Sequence, residues 1–336
     1  MKIGIVGCGG IGMMHAKALH VLSQFTDIQV SAIADGRKEC RDKVKALWAD
    51  AEEFEEGMDL IEKTDAPCIY ICLPSYLHTK YATAAMRRGK AVFIEKPVCI
   101  RTEDMDELLL AQTETGQKAM VGQVVRWFPE YRTLKEIYDT GRLGRLKSVT
   151  MHRICGRPLW SFENWFVDLK KSGSVVMDLH IHDIDFIRSM LGEPEQLTVR
   201  GTSFADGMPN QVLSILDYGK TYVAVEGCWD VSTALPFQSG YRACFEKATV
   251  EYDGARQTPL IIYGEDGSIT QQKPEVEDIP CDAAGINLSD VRPYFEEDRY
   301  FMDCLVKNRP IEKADLADGI ASARLGCRIL KEILEG

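Results

Sequence analysis

The sequence predicts an α/β protein: a doubly wound parallel sheet first, then an α+β unit built on a mostly antiparallel open sheet. Three observations predict it. Over residues 1–122 short apolar runs alternate with helical segments, the βαβα order that gives a parallel sheet with right-handed crossovers. From 195 to 273 the chain turns to runs rich in Val, Ile and Tyr, joined by tight turns, as antiparallel pairing requires. The chain has 336 residues, the length of two domains at ~100–200 residues each. The composition shift near 122–128 divides it into a first domain, 1–122, and a second, 123–336.

In order, KIGIVG is short, apolar and β-branched, as a strand buried on both faces should be. A helix follows from about Gly12 to Ser23. IQVSAIAD is the second strand, CIYICLP the third, ending at Pro74, and AVFIEKP the fourth, ending at Pro97; KAMVGQVV is the fifth. Helices lie between them, including 77–89, closed by Gly89, and 103–115, closed by Gly116. In the second domain a helix over 129–140 stops at Gly141, a strand covers 144–155, and a helix over 175–191 ends at Gly192. ILDYGKTYVAV and LIIYGEDGSIT have the turn chemistry of hairpins. Helices near 293–308 and 314–334 close the chain.

The bulk properties exclude some classes. A net charge of -11 with only short basic pairs, Arg87-Arg88 and Lys170-Lys171, argues against nucleic-acid binding. No apolar run reaches the ~18 residues of a membrane span. MKIGIVG enters a strand at once and shows no secretory signal. The 11 cysteines are odd in number and dispersed, with Cys68 and Cys72 inside an apolar strand. They suit reduced, apolar fillers of a cytoplasmic protein.

The first strand runs into Gly7-Cys8-Gly9-Gly10-Ile11-Gly12, a G-x-G-x-x-G that follows a strand and opens a helix. Gly7 permits the tight turn, Gly9 lets a pyrophosphate approach, and Gly12 allows close helix–sheet packing. The helix start, with Gly10 and Ile11, offers N–H groups to the phosphates. This is the Rossmann dinucleotide fingerprint. Asp35 closes the second strand, 23 residues beyond Gly12, near the ~20 expected of a carboxylate that holds the ribose hydroxyls. It favours NAD over NADP, and Arg37 close by softens that preference.

AVFIEKP sets Glu95, Lys96 and Pro97 at the C-terminal end of a strand, the edge that faces the ligand crevice of an open parallel sheet. A lysine there can donate to a substrate hydroxyl; read alone, it equally suits a solvated strand end. Asp178 and His182 are four apart and share one helix face, with Phe186 and Met190 continuing the row. A histidine, with an unperturbed pKa of ~6.5, exchanges protons near neutrality. Alone the pair also reads as a surface i,i+4 contact. His180 and His182 do not make a metal site, because helix residues two apart point about 200° from each other at ~100° per residue. His15, His20 and His152 are read as structural; His15, one turn into the phosphate-binding helix, is the least easily set aside.

Three stretches, GCGGIGMMHAKAL, LPSYLHTKYATAAMRRGKAVFIEKP and SGSVVMDLHIHDIDF, together resemble the Gfo/Idh/MocA oxidoreductases, the glucose–fructose oxidoreductase and inositol dehydrogenase group. The resemblance continues through FMDCLVKNRP and ADGIASARLG to the C-terminal helix. It implies an NAD(P)-dependent enzyme that transfers a hydride between nicotinamide and a hydroxyl or carbonyl of a sugar, polyol or related molecule. It implies homodimers or homotetramers. Lys96 then corresponds to the active-site lysine, and Asp178 and His182 to a D-x-x-x-H pair. Leu73, Pro74, Leu77 and His78 fall in the loop beside the cofactor, with Glu95, Gln123 and Trp165 also on the cofactor side. Arg126 and Pro129 match an R-x-x-P, and Arg126 and Asn164 join Lys96, Asp178 and His182 as substrate-binding candidates. Two departures stand out: Ser172-Gly173-Ser174 replaces a run of three glycines, and Phe166 stands where arginine is common. The fold also hosts NAD-dependent glycosidases and non-catalytic regulators, whose activities are the alternatives.

Overall fold

A computed structural model of the chain describes residues 1–272, 274, 279 and 291–336. The first stretch runs β1 (Lys2–Val6), α1 (Gly10–Leu22), β2 (Gln29–Ala34), α2 (Lys38–Lys45), β3 (Glu52–Phe54), α3 (Gly57–Lys63), β4 (Cys68–Ile71), α4 (His78–Arg87), β5 (Ala91–Glu95), α5 (Thr102–Thr115) and β6 (Ala119–Gly122). Its six strands pair in parallel in the order β3-β2-β1-β4-β5-β6. The order reverses between β1 and β4, which opens the crevice where ligands of such sheets bind. The strands are buried on both faces: Ile3, Ile5, Ile69, Phe93 and Ile94 have no exposed area.

The second stretch runs α6 (Pro129–Thr140), β7 (Leu146–Gly156), α7 (Leu169–Ser172), a π turn over Val176–His180 leading into α8 (Ile181–Leu191), then β8 (Gln196–Ser203), β9 (Pro209–Asp217), β10 (Tyr222–Asp230), β11 (Gln238–Phe245), β12 (Ala248–Asp253), β13 (Leu260–Gly264) and β14 (Ile269–Gln272). These strands form one eight-stranded sheet, β14-β13-β12-β11-β7-β10-β9-β8. It is antiparallel except where β7 and β10 pair in parallel. The hairpins read at Asp217–Tyr222 and at Gly264–Ile269 both form. Two helices close the chain, α9 (Arg292–Val306) and α10 (Leu316–Glu335).

The division of the chain differs from the sequence reading. One unit comprises Met1–Val124 with Asp278–Ala323, the other Val125–Glu277 with Arg324–Gly336. α9 returns to pack on α1 and so falls in the first unit. Phe295 meets Phe25 edge-on at 6.4 Å, and Val121 donates its amide to the Ala314 carbonyl at 2.8 Å. Also unread in the sequence were β3, α2 and α3, all short and strongly charged, and the π turn that begins the 175–191 helix.

Candidate active site

The glycine turn has the geometry its residues suggested. Gly7 sits at φ +96°, in the left-handed region, and a Cβ there would run into the Cys72 carbonyl. A Cβ on Gly12 would collide with the carbonyl oxygen of Gly7. α1 starts from Gly9 without any side-chain cap, so its first N–H groups are left for a ligand. Cys8 is buried, and burial with Asp35 nearby pushes its thiol up to about 12; it is a filler, not a nucleophile.

Asp35 stands at the end of β2. Its carboxylate accepts from the amides of Cys8 and Arg37, both at 2.9 Å, and from the Arg37 guanidinium at 3.0 Å through both Nε and Nη2. Burial works to raise its pKa, and these donors outweigh that and hold it below the usual carboxylate value. The same guanidinium lies 3.4 Å from where a Gly9 side chain would begin. Asp35 and Arg37 therefore form one forked pair beside the phosphate turn.

At the end of β5, Lys96 is the single residue in 91–100 that is not buried. Its backbone N–H donates to the carboxylate of Glu95 at 3.0 Å. Glu95 points inward, 4% exposed, over Gly122, where a Cβ would lie 2.8 Å from Oε1. Opposite, His78 at the start of α4 places Nδ1 2.8 Å from the Pro97 carbonyl and Nε2 2.7 Å from that of Leu73. Burial holds its pKa below the ordinary value. Leu73 and Pro74 line this loop, half-buried. Gln123 is 2% exposed, and neither atom of its amide has a hydrogen-bond partner among the described residues. A buried amide left in that state calls for a polar ligand. The glycine cradle, the uncapped helix start, the ribose-side carboxylate and the Gln123 amide together fit a dinucleotide.

In the other unit, every residue from 172 to 187 is buried except Asp178 and His182. The π turn widens the helix at this point, a distortion frequent at functional sites. His180 faces the opposite way, its Nε2 2.8 Å from Ser214 Oγ and its ring over Gly227 of β10; burial holds its pKa at about 3. Arg126 sets Nε and Nη2 on the two oxygens of Asp185, 2.7 Å each. This bidentate fork anchors the 3₁₀ turn Val124–Trp127 to α8, a contact the sequence did not reveal. Asn164 is exposed at φ +53°, and Trp165 stacks on Phe166 with ring centroids 4.0 Å apart. Phe166 in turn meets Trp229 edge-on at 6.0 Å. Where the resemblance led to an arginine, an aromatic ledge has formed. Ser174 adopts φ +64°, the conformation a glycine would take there without strain.

Residues 1–123 match the oxidoreductase family with an NAD-binding Rossmann fold, GFO_IDH_MocA, and residues 131–270 match the GFO/IDH/MocA C-terminal domain. The chain belongs to this family. Among similar Gfo/Idh/MocA proteins, the inositol 2-dehydrogenase of Rhizobium meliloti (strain 1021) is 29% identical over 204 residues, 60% of this chain and 58% of that protein. The myo-inositol 2-dehydrogenase of Thermotoga maritima is 26% identical over 274 residues, 80% of this chain and 74% of the other. A levoglucosan dehydrogenase solved in complex with NADH and L-sorbose has the same fold, with a TM-score of 0.87 at 16% identity over 100% of this chain and 97% of that one. Among the described residues no helix of this Gfo/Idh/MocA protein is long and apolar enough to cross a membrane.

Proposed function

We propose that this protein is an NAD-dependent dehydrogenase of a polyhydroxylated small molecule, a sugar, an inositol or a related polyol. The observation that carries the reading is Lys96: the one accessible side chain of 91–100, at the end of β5 in the sheet that cradles the dinucleotide. The relatives named inositol 2-dehydrogenase support the substrate class. Asp35 supports NAD over NADP, since a 2′-phosphate would meet a carboxylate held ionised.

NAD, when bound, would supply the hydride acceptor, which leaves the protein only a proton to manage. Lys96 hydrogen-bonds the reacting oxygen. His182 removes the hydroxyl proton, and Asp178 orients His182 or accepts from a neighbouring hydroxyl. Reversal protonates the oxygen of a carbonyl substrate. Gly7, Gly9 and Gly12 and the start of α1, with Gly10 and Ile11, receive the pyrophosphate. Asp35 takes the ribose, while Leu73, Pro74, His78 and Gln123 shape the nicotinamide side. Asn164, Trp165 and Arg126 are assigned to the substrate side. We place the protein in the cytoplasm, in keeping with its ten described cysteine thiols; Cys281 lies outside the described residues.

The sheet of the second unit supports a homo-oligomer. Leu213, Ile215, Tyr222, Tyr263 and Ile269 are exposed, 36% to 68%, and their register puts them on one face. A second copy of the chain is the partner we assign to that face.

The test is NAD reduction across sugars, inositols and sugar acids, followed by single variants with whichever substrate turns over. Lys96→Ala and His182→Ala should each lower kcat by ~10²–10⁴-fold with NADH affinity, read by fluorescence, nearly unchanged. Near wild-type kcat in Lys96→Ala overturns the assignment. Turnover without net NAD reduction points instead to a glycosidase that recycles its cofactor.

A further inference from the structure

The first unit buries a charged cluster that nothing above uses. His15, one turn into α1, has no exposed area. Its Nε2 lies 2.8 Å from Oε1 of Glu95, and its Nδ1 2.9 Å from Oδ1 of Asp298 on α9. Around it pack the rings of Phe93 at 4.9 Å, Tyr70 at 5.4 Å and Tyr294 at 5.7 Å between centroids. Burial acts to discharge the imidazole, but Asp298 and Glu95 outweigh it and hold its pKa well above the ordinary value. Both ring nitrogens thus face carboxylate oxygens, and burial pushes the Asp298 carboxyl up as well.

Stability alone does not account for such a cluster. Apolar side chains of the same volume in an aromatic core are commonly as stable as a buried ion triad, or more so. What the triad adds is direction. Glu95 has two oxygens: Oε1 is held by His15, and Oε2 holds the Lys96 amide at 3.0 Å. Gly122 leaves room for the carboxylate to lie in that one orientation. On the far side of the lysine, His78 meets the Pro97 carbonyl at 2.8 Å. Residues 95, 96 and 97 are thus each held through a polar contact, and Lys96 alone among them is not buried.

We propose that His15 is the positioning residue of Lys96: through the two oxygens of Glu95 it fixes the backbone from which the lysine ammonium is presented. The inference rests on the reading of Lys96 as the group at the reacting oxygen. It links the helix that receives the pyrophosphate to the strand end that meets the substrate, so one side chain sets both ends of the cofactor crevice. Displacement of a reacting group by about 1 Å costs roughly 10²-fold in rate, which sets the scale of the effect.

The experiment has two readouts. With NADH bound, the [¹³C]dimethyl-lysine NMR signal of Lys96, assigned by its loss in Lys96→Arg, should move by more than its line width in His15→Gln, while that of exposed Lys38 stays in place. With myo-inositol as the probe substrate, His15→Gln should lower kcat roughly 10- to 100-fold, with NADH affinity within about threefold of wild type. In the Lys96→Ala background the same change should cost less than about threefold, because there is no ammonium left to position. General damage to the fold would cost the same in both backgrounds, and that result overturns the proposal, as does an unmoved Lys96 signal. Should His15→Gln not fold, Glu95→Gln keeps an acceptor for the Lys96 amide and changes the group that His15 faces; it should move the same signal. If Lys96→Ala itself is silent, the reading of Lys96 falls, and the NMR arm still decides whether His15 positions it.

Discussion

His180 should make the second unit sensitive to mild acid. It is fully buried, its Nε2 pairs with Ser214, and its Nδ1 has no partner among the described residues. A second proton would put an N–H and a charge where nothing receives them. Burial accordingly holds the pKa at about 3 against an ordinary 6.5. The unfolded chain therefore binds the extra proton between those values and the folded chain does not. Stability is whole above pH 6.5 and falls with pH below it, by about 1.4 kcal/mol per unit until the folded value is reached. From pH 6.5 to 5 that removes about 2 kcal/mol. Hydrogen exchange of the β9 and β10 amides, corrected for intrinsic rates, reads the opening free energy at the two pH values. His180→Gln keeps a donor or acceptor for Ser214 and cannot titrate. The drop in wild type should exceed the drop in His180→Gln by about that amount, the other histidines cancelling in the difference. Equal drops would refute the reasoning and mean that His180 protonates within the folded protein.

Other outcomes follow from the same geometry. Isothermal titration should find NADH bound at least about tenfold, or ~1.4 kcal/mol, more tightly than NADPH, and Asp35→Ala should narrow the gap; equal affinities in wild type would remove Asp35 as the discriminator. Light scattering at micromolar concentration should find an oligomer, and Ile215→Glu should dissociate it; a wild-type monomer rules out the sheet face as an interface. If the proposed roles hold and both groups act on one proton, the double variant Lys96→Ala/His182→Ala should be little worse in kcat than the poorer single; fully multiplicative losses would separate their roles.

Much of this was legible in the sequence because it is local. Gly7, Gly9 and Gly12 are read by spacing, Lys96 by its place at the end of an apolar run, and Asp178 with His182 by helical period. The structure sets His180 against Ser214 and leaves His182 half-buried. Contacts over long sequence separations were not legible. Nothing near His15 announces Asp298, 283 residues away, so the histidine read as core. The fork between Arg126 and Asp185, 59 residues on, was equally hidden, because nothing near either residue marks the other. The parallel pairing of β7 with β10 is of the same kind: each strand alternates as an antiparallel strand would, and only the sheet order reveals the exception. β3 and α3, three and seven residues long, are too brief for any periodicity to stand out.

The return of the chain to the first unit has a consequence for how the protein is made. A ribosome releases Met1–Val124 early, with all six parallel strands, yet the carboxylate that faces Nδ1 of His15 is not synthesised until residue 298. Until then α1 lacks the helix that packs on it. The dinucleotide half therefore completes its packing only after most of the second unit has emerged, in contrast to the usual N-terminal-first order. It also follows that residues 1–124 are not a module that can be cut out or fused elsewhere whole. A dinucleotide-binding half to be transplanted from this protein must carry α9 with it.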